Sequence, residues 1–247
     1  MASVLNISAY RFTGIDDPVA LRDVLRTRAV AAELKGTILL AREGINLFLA
    51  GGADAVRGFV AELRTDPRFA DLTTTESWSD QQPFRRMLLK VKREIIRMDR
   101  PLTPDTGRAP AVTPATLRRW LDQGHDDAGR EVVLLDTRNA FEVDYGTFAD
   151  AVDWRIDRFT QFPGAAAAHR DELAGKTVVS FCTGGIRCEK AALVLRDEGI
   201  DAYQLDDGIL GWFAEQGGAH WRGDCFVFDE REALTPGLEV TVASSPR

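Results

Sequence analysis

A proline-rich stretch near the middle of the chain constrains the fold most, because it interrupts regular secondary structure there. It contains four of the ten prolines: Pro101, Pro104, Pro110 and Pro114. Apart from Leu102, residues 101–111 are proline, threonine, glycine, alanine and charged residues, with neither a helical nor a strand period. Such a stretch buries little apolar surface and is typical of a linker. Because 247 residues also suit two domains better than one, we predict a linker over residues 99–113.

The segments before this linker alternate between strand and helix patterns. We predict strands near 4–10, 37–41, 45–49 and 87–91, and helices from Asp17-Pro18 to Gly36 and across 56–63. The order β-α-β-β-α-β is that of the ferredoxin-like split unit, a small α+β sandwich. We therefore predict a ferredoxin-like (acylphosphatase-like) domain over residues 1–98.

The segments after the linker predict a second domain of a different class. Thr113-Pro114 suits a helix start, because threonine is a good N-cap and proline fits the first helical turn. Three apolar runs have the pattern of strands: 132–135, 178–181 and 200–205. The first two are apolar on both faces, which suits the centre of a parallel sheet covered by helices. We predict an α/β domain with a parallel sheet over residues 114–222, followed by a C-terminal extension over residues 223–247.

Composition and cysteine content restrict the compartment and the partners. No run approaches the ~18 consecutive apolar residues of a membrane helix, and the N-terminus lacks the basic and apolar regions of a secretory signal. Three cysteines, Cys182, Cys188 and Cys225, are too few and too unevenly spaced for a disulfide framework. We therefore expect a reduced, cytoplasmic protein that binds no membrane. The net charge of −7, taken alone, disfavours a nucleic-acid partner.

The residues most suited to catalysis lie in the segment 180–188. This segment runs from an apolar strand directly into a helix predicted to begin near Cys188. A cysteine at this point, Cys182, faces free backbone N–H groups and the positive end of the helix dipole. Both favour its thiolate, as does a nearby Arg187, so we expect a depressed pKa and a nucleophilic sulfur. The two glycines let the loop curl into an anion-binding nest. We assign catalysis to Cys182, and anion or substrate binding to six residues: Thr183, Gly184, Gly185, Ile186, Arg187 and Cys188.

Such a loop is compatible with several chemistries, and the residues alone leave them open. Cysteine-dependent phosphatases place their arginine one residue further from the cysteine than Arg187, so a phosphoryl group fits this ring poorly. Cys182 and Cys188 have neither the C-x-x-C spacing of a redox pair nor that of a zinc knuckle, although Cys188 could act as a resolving thiol. Sulfur transfer through Cys182 is the third chemistry. The structural alternative is a buried cysteine in a tight turn.

Several motifs of the second domain resemble those of rhodanese-type sulfurtransferases. The six-residue loop Cys182–Arg187 resembles their active loop, residues 135–138 resemble their strand-end Asp-x-Arg motif, and Asp207-Gly208 with Gly211-Trp212 resembles their glycine-rich turn into the last helix. More narrowly, Cys182–Lys190 resembles the tRNA uridine hydroxylases, a family of rhodanese-domain proteins. This narrower resemblance extends to further segments on both sides of the linker: 36–40, 43–46, 66–69, 92–95, 146–148 and 221–229. It is the more specific one, because an ordinary rhodanese would match only the second half.

The narrower resemblance implies an activity: oxygen-dependent hydroxylation of the wobble uridine of certain tRNAs to 5-hydroxyuridine. It implies Cys182 as the essential residue, molecular oxygen as co-substrate and the anticodon loop of tRNA as partner. No metal, flavin or nicotinamide site is evident, and no protein partner is predicted. The alternative function is a rhodanese-type sulfurtransferase that acts through a Cys182 persulfide. Many relatives carry a cysteine-containing tail, whereas only Cys225 follows the loop in this chain.

A basic segment offers a surface for that RNA despite the negative net charge. Residues 85–100 contain seven basic and two acidic residues, a net charge of +5, so the rest of the chain sums to −12. In the predicted strand, Lys90 and Lys92 share the face opposite the apolar residues. A basic stripe of this kind suits a phosphate backbone; a solvated sheet face is the alternative. We predict five tRNA-binding residues: Arg85, Arg86, Lys90, Lys92 and Arg93.

More than one mechanism for the hydroxylation follows from these residues. A thiolate that adds to C6 of uracil makes C5 nucleophilic, and the loop N–H groups with Arg187 could hold that thiolate or stabilise an enolate oxygen. Cys182 could instead act as a persulfide or as an oxidised sulfur. In each case the target base would leave the stack of the anticodon loop, which costs little in a single strand.

Overall fold

The computed structural model describes residues 3–102 and 107–241. Residues 103–106 of the predicted linker and 242–247 of the predicted extension lie outside the described residues. The chain divides into two units, Met1–Gly107 and Arg108–Arg247. Within the described ranges, no helix has both the length and the apolar character that a membrane span requires.

The N-terminal unit is built on a single five-stranded sheet. Its elements are β1 (Val4–Phe12), α1 (Pro18–Ala31), β2 (Lys35–Ala41), β3 (Gly44–Gly51), α2 (Ala53–Leu63), β4 (Thr75–Ser79) and β5 (Met87–Val91). The strands lie in the order β4-β1-β3-β2-β5. The first four of these strands have the order of a ferredoxin-like fold, so the predicted ferredoxin-like, acylphosphatase-like fold is confirmed.

The two faces of β5 differ in polarity, as its sequence predicts. Helix α1 is capped by Asp17, whose carboxylate accepts hydrogen bonds from two backbone N–H groups of the first turn. Its buried residues Leu25 and Ala29 belong to the same apolar core as Leu89 of β5. Lys90, the next residue along β5, is exposed, because successive side chains of a strand point to opposite faces.

The strand that completes the ferredoxin-like order is not the predicted one. The sequence predicts that residues 87–91 form the fourth strand of this order. In the structure the fourth strand is β4, which pairs with β1, whereas residues 87–91 form β5, which pairs with β2 in parallel at the opposite edge of the sheet. The pattern missed β4 because its buried positions are Ser77 and Ser79 rather than apolar residues. Asn6 Nδ2 of β1 donates to Ser79 Oγ at 3.0 Å. The Ser79 hydroxyl in turn donates to the carbonyl of Gln81 at 2.7 Å, so hydrogen bonding satisfies it where an apolar side chain usually packs.

The C-terminal unit contains a second sheet and the remaining helices. Its elements are β6 (Ala111–Val112), α3 (Pro114–Gln123), β7 (Val132–Asp136), α4 (Ala140–Val143), β8 (Gly146–Phe148), β9 (Val152–Asp153), α5 (Phe162–Ala168), α6 (Arg170–Leu173), β10 (Thr177–Phe181), α7 (Ile186–Asp197), β11 (Asp201–Leu205), α8 (Gly208–Gln216), β12 (Trp221–Gly223), β13 (Cys225–Phe226) and β14 (Ala233–Leu234). The main sheet has the order β6-β11-β10-β7-β9, and all its neighbours are parallel. The predicted α/β class is confirmed, and its three predicted strands form the centre of this sheet. Two short antiparallel ribbons, β8 with β12 and β13 with β14, complete the unit.

Two segments contribute more to this unit than their composition indicates. Ala111 and Val112 lie in the predicted linker, yet they form β6 and pair with Gln204 and Leu205 of β11. A two-residue edge strand has no period to detect, so the sequence gives no sign of it. After residue 223, in the predicted extension, Cys225 and other apolar residues are buried in the core of the unit.

Gly36→Ala should destabilise the N-terminal unit. Gly36 has a φ of +137°, and a Cβ built there would lie 2.0 Å from the carbonyl oxygen of Phe48 in β3. Only glycine lets β2 and β3 approach this closely. We expect the free energy of unfolding, measured by urea denaturation, to fall by about 2 kcal/mol or more.

The matched control for this prediction is Gly58→Ala in α2. A Cβ at Gly58 meets no atom within 4 Å, and alanine is a better helix former than glycine. Gly58→Ala should therefore leave the free energy of unfolding unchanged or raise it. A similar loss of stability in both variants would contradict the steric explanation for Gly36.

Candidate active site

The cysteine loop joins the central strand β10 to helix α7. Cys182 follows the last residue of β10, and α7 begins at Ile186, two residues before the predicted start. Gly185 precedes the helix with a φ of +94°, a conformation that favours glycine. Of the six residues assigned to anion or substrate binding, Gly184 is partly exposed and the other five are buried.

The first turn of α8 holds this loop by its carbonyl groups. The backbone N–H groups of Ile209 and Leu210 donate to the carbonyls of Cys182 and Thr183, at 2.9 and 3.1 Å. Gly208, with a φ of +61°, allows the approach, because a Cβ there would lie 2.4 Å from the Cys182 carbonyl oxygen. The Asp207-Gly208 motif therefore has a steric function: it lets one backbone pack directly on the other.

Cys182 is only 1% exposed, yet its surroundings favour the thiolate. Burial raises the pKa of Cys182, but the hydrogen bond from Cys188, the Arg187 guanidinium and the backbone N–H groups of Arg187 and Cys188 outweigh it and lower the pKa to about 6. Burial and the adjacent Cys182 raise the pKa of Cys188 well above its usual range. The two shifts run in opposite directions, so Cys182 is the more acidic thiol of the pair, while the Cys188 Sγ lies 3.0 Å from the carbonyl oxygen of Gly185, which accepts a hydrogen bond from it.

A buried carboxylate fixes the arginine of the loop. Arg187 Nη1 and Nη2 donate to Glu142 Oε1 and Oε2 at 2.6 and 2.7 Å. Glu142 also accepts the backbone N–H of Asn139 at 3.1 Å, which is the glutamate half of a capping box at the start of α4. The sequence analysis did not single out Glu142. The Asn-x-x-Glu spacing at residues 139–142 is the sequence feature that marks Glu142, but this spacing predicts the start of a helix and not a carboxylate that binds an arginine.

The strand-end motif at residues 135–138 supports the loop from the neighbouring strand. Thr137 donates to the carbonyl of Phe181, the residue before Cys182, through both its backbone N–H (3.0 Å) and its hydroxyl (2.9 Å). Arg138 and Asp136 form a fully buried two-point ion pair, with Nε–Oδ1 at 2.9 Å and Nη2–Oδ2 at 2.6 Å. The Thr137 bonds join the end of β7 to the end of β10, and the ion pair fixes the segment from Asp136 to Arg138, so the residue before Cys182 is rigidly held.

The C-terminal ribbon packs beside the same loop. The Thr183 hydroxyl lies 3.5 Å from the carbonyl oxygen of Phe226, and burial raises the pKa of Cys225 to about 12. Cys225 is therefore a packed, protonated thiol. In the described part of the chain, no group of three or more His, Cys, Asp or Glu side chains has an arrangement that could hold a metal ion.

The predicted tRNA-binding residues belong to the other unit. All five are exposed: Arg85 and Arg86 precede β5, Lys90 lies within it, and Lys92 and Arg93 follow it. The basic residues thus gather along one edge strand of the N-terminal sheet, whereas the cysteine loop lies in the C-terminal unit.

Comparison with known families defines the class of protein to which these two units belong. Residues 4–95 match the UPF0176 acylphosphatase like domain, and residues 113–215 match the rhodanese-like domain. The chain is thus a rhodanese-domain protein with an acylphosphatase-like N-terminal domain.

Full-length relatives narrow this class to a particular family. The chain is 66% identical over 247 residues to a tRNA uridine(34) hydroxylase of Variovorax paradoxus, covering 99% of this chain and 94% of the relative. It is 65% identical to the Delftia acidovorans protein of that name (98% and 92% covered) and 62% identical to the one from Cupriavidus taiwanensis (96% and 84%). The chain belongs to the tRNA uridine(34) hydroxylase family, a family of hydroxylating enzymes, which confirms the resemblance found in the sequence.

The depressed pKa of Cys182 predicts a titration that can be followed in the folded protein. Thiolates absorb ultraviolet light more strongly than thiols, and only Cys182 should ionise near pH 6. Cys188→Ala should move this midpoint upwards, because the thiolate loses one hydrogen-bond donor. Cys225→Ala is the control and should leave it in place. A wild-type midpoint at the ordinary cysteine pKa, about 8.5, would contradict the prediction.

Proposed function

We propose that this protein hydroxylates uridine 34 of tRNA to 5-hydroxyuridine, with molecular oxygen as co-substrate and Cys182 as the reacting residue. The observation that carries the proposal is the rigid loop around Cys182, whose surroundings lower the pKa of that thiol, in a chain that is 66% identical to a protein named for this activity. The cytoplasm, which contains tRNA and keeps thiols reduced, is the expected location.

In the proposed mechanism the Cys182 thiolate adds to C6 of the uracil ring. The addition places electron density on C5 and on the C4 oxygen, which the loop N–H groups and Arg187 would stabilise. C5 then bonds to one oxygen atom of molecular oxygen, which becomes its hydroxyl group, and the other oxygen atom leaves as water; an external reductant supplies two electrons and solvent supplies the protons. Loss of the C5 proton and departure of the thiolate restore the double bond and free Cys182 for another cycle.

The depressed pKa supports the thiolate route for a simple reason. With a pKa of about 6, Cys182 is ionised at neutral pH without a separate general base. The same feature would help a persulfide carrier, so the sulfurtransferase function remains the second candidate, supported by the rhodanese-like match over residues 113–215.

Cys182→Ser should abolish 5-hydroxyuridine in tRNA. Serine retains the size of cysteine but is not ionised at neutral pH, so the addition to C6 fails. The measurement is mass spectrometry of tRNA nucleosides from cells that lack the protein and express either the wild type or the variant, with thermal unfolding as a check of folding. A fully active variant would refute the mechanism. Loss of a thiolated base instead of 5-hydroxyuridine would favour the sulfurtransferase.

The proposal also assigns tRNA binding to the basic edge strand of the N-terminal unit. Lys90→Glu and Lys92→Glu together should weaken tRNA binding and reduce its dependence on salt, because fewer counterions are released from the phosphates. Binding is measured by filter retention across a salt series. Lys176→Glu, the same charge change at a lysine that pairs with Glu131 in the other unit, is the control. Equal affinity of the double variant and the wild type would remove this assignment.

A further inference from the structure

Four aromatic side chains form a cluster beside the cysteine loop. Phe141 and Tyr145 come from helix α4 and the residues that follow it, and Phe226 and Phe228 come from β13 and the residues after it. Phe226 packs edge-on against Phe141 and Phe228, with ring centroids 5.1 and 5.0 Å apart, and its centroid lies 5.2 Å from that of Tyr145. Such edge-to-face contacts hold the rings in a fixed arrangement.

This aromatic cluster remains open to solvent, although aromatic rings usually pack inside. Phe228 is 58% exposed, Phe141 is 45% exposed and Tyr145 is 37% exposed. The Tyr145 hydroxyl donates to Glu232, which fixes that ring in place. A contiguous exposed patch of this kind marks a binding surface more often than a single exposed ring does.

The aromatic cluster is continuous with the reacting group. The Arg187 Cζ atom lies 5.8 Å from the centroid of the Phe228 ring, and the Phe226 carbonyl lies within hydrogen-bond reach of the Thr183 hydroxyl. These two loop residues stand on either side of the glycines that follow Cys182. The rings therefore form part of the rim of the site, while Cys182, at 1% exposed, lies within it.

The charged groups around the aromatic cluster offer little to a phosphate. Arg187 pairs with Glu142, and Asp144, next to Tyr145 in the chain, pairs with Arg155, while Glu232, which accepts from Tyr145, adds a carboxylate. A surface of aromatic rings beside a carboxylate has little attraction for a phosphate. It suits the flat, uncharged face of a nucleobase, since unstacked RNA bases bind to aromatic side chains by stacking.

We propose that Phe141 and Phe228 form a stacking surface for the unpaired nucleobase next to the reacting uridine in the anticodon loop. This inference rests on the proposed function. A uracil that reaches Cys182 has passed the rim of the site, so the adjacent base of the RNA strand stays at the rim. There the exposed rings replace the stacking on uridine 34 that this adjacent base loses when the uracil leaves the anticodon stack.

The first test measures kcat/KM for 5-hydroxyuridine formation on intact tRNA. Phe228→Ala should lower kcat/KM between about fivefold and a hundredfold, the range expected for the loss of one base–aromatic stack. Phe228→Trp, which keeps an aromatic face, should stay within about threefold of the wild type. Val240→Ala removes another exposed hydrophobic side chain of the same unit, 39% exposed, and should have no effect. Thermal unfolding of Phe228→Ala should match the wild type, because the ring is largely outside the core.

A second test observes the stacking itself. A tRNA with 2-aminopurine next to uridine 34 should lose fluorescence when it binds the wild type or Phe228→Trp, and should lose much less with the Phe141→Ala, Phe228→Ala double variant. Unchanged kcat/KM and unchanged quenching in the double variant would overturn the inference, as would a double variant that changes only self-association. A wild type that forms no 5-hydroxyuridine would refute the proposed function, and the fluorescence would still report on the rings.

Discussion

The buried ion pair between Arg187 and Glu142 is the interaction on which the arrangement of the site depends. Both side chains are almost completely removed from water, so either charge alone would be strongly unfavourable. Because Glu142 accepts the backbone N–H of Asn139 at the start of α4 and Arg187 lies in the first turn of α7, the pair ties these two helices together. It also sets the guanidinium beside Cys182, where its positive charge favours the thiolate.

The fold could be predicted from the sequence wherever apolar residues form a continuous run or recur with a clear period. The strands near 132–135 and 178–181 and the helix capped by Thr113 are such cases. The pattern failed where polar side chains are buried, as at Ser77 and Ser79 of β4, and where an element is only two residues long, as in β6. Single-sequence patterns register apolar periodicity, and neither of these elements has any.

The candidate site could be predicted only in part, for a related reason. The loop is a continuous segment, so its cysteine, glycines and arginine are visible together in the sequence. Glu142 and Phe228 lie 45 residues before Arg187 and 41 after it, in segments that only the fold brings to the loop. The charge shows the same limit: an average of −7 describes the whole chain, whereas +5 is concentrated near one edge strand.

The hydrogen bonds from α8 to the carbonyls of Cys182 and Thr183 have a consequence for the encounter with RNA. They engage the carbonyl groups of the loop backbone, and Gly208 leaves no space between the two segments. A loop clamped in this way has little freedom to open or reshape around a ligand. In the proposed reaction the loop backbone therefore stays in place, and the base reaches Cys182, 1% exposed, only if the side chains around the loop move aside as the anticodon releases that base from its stack.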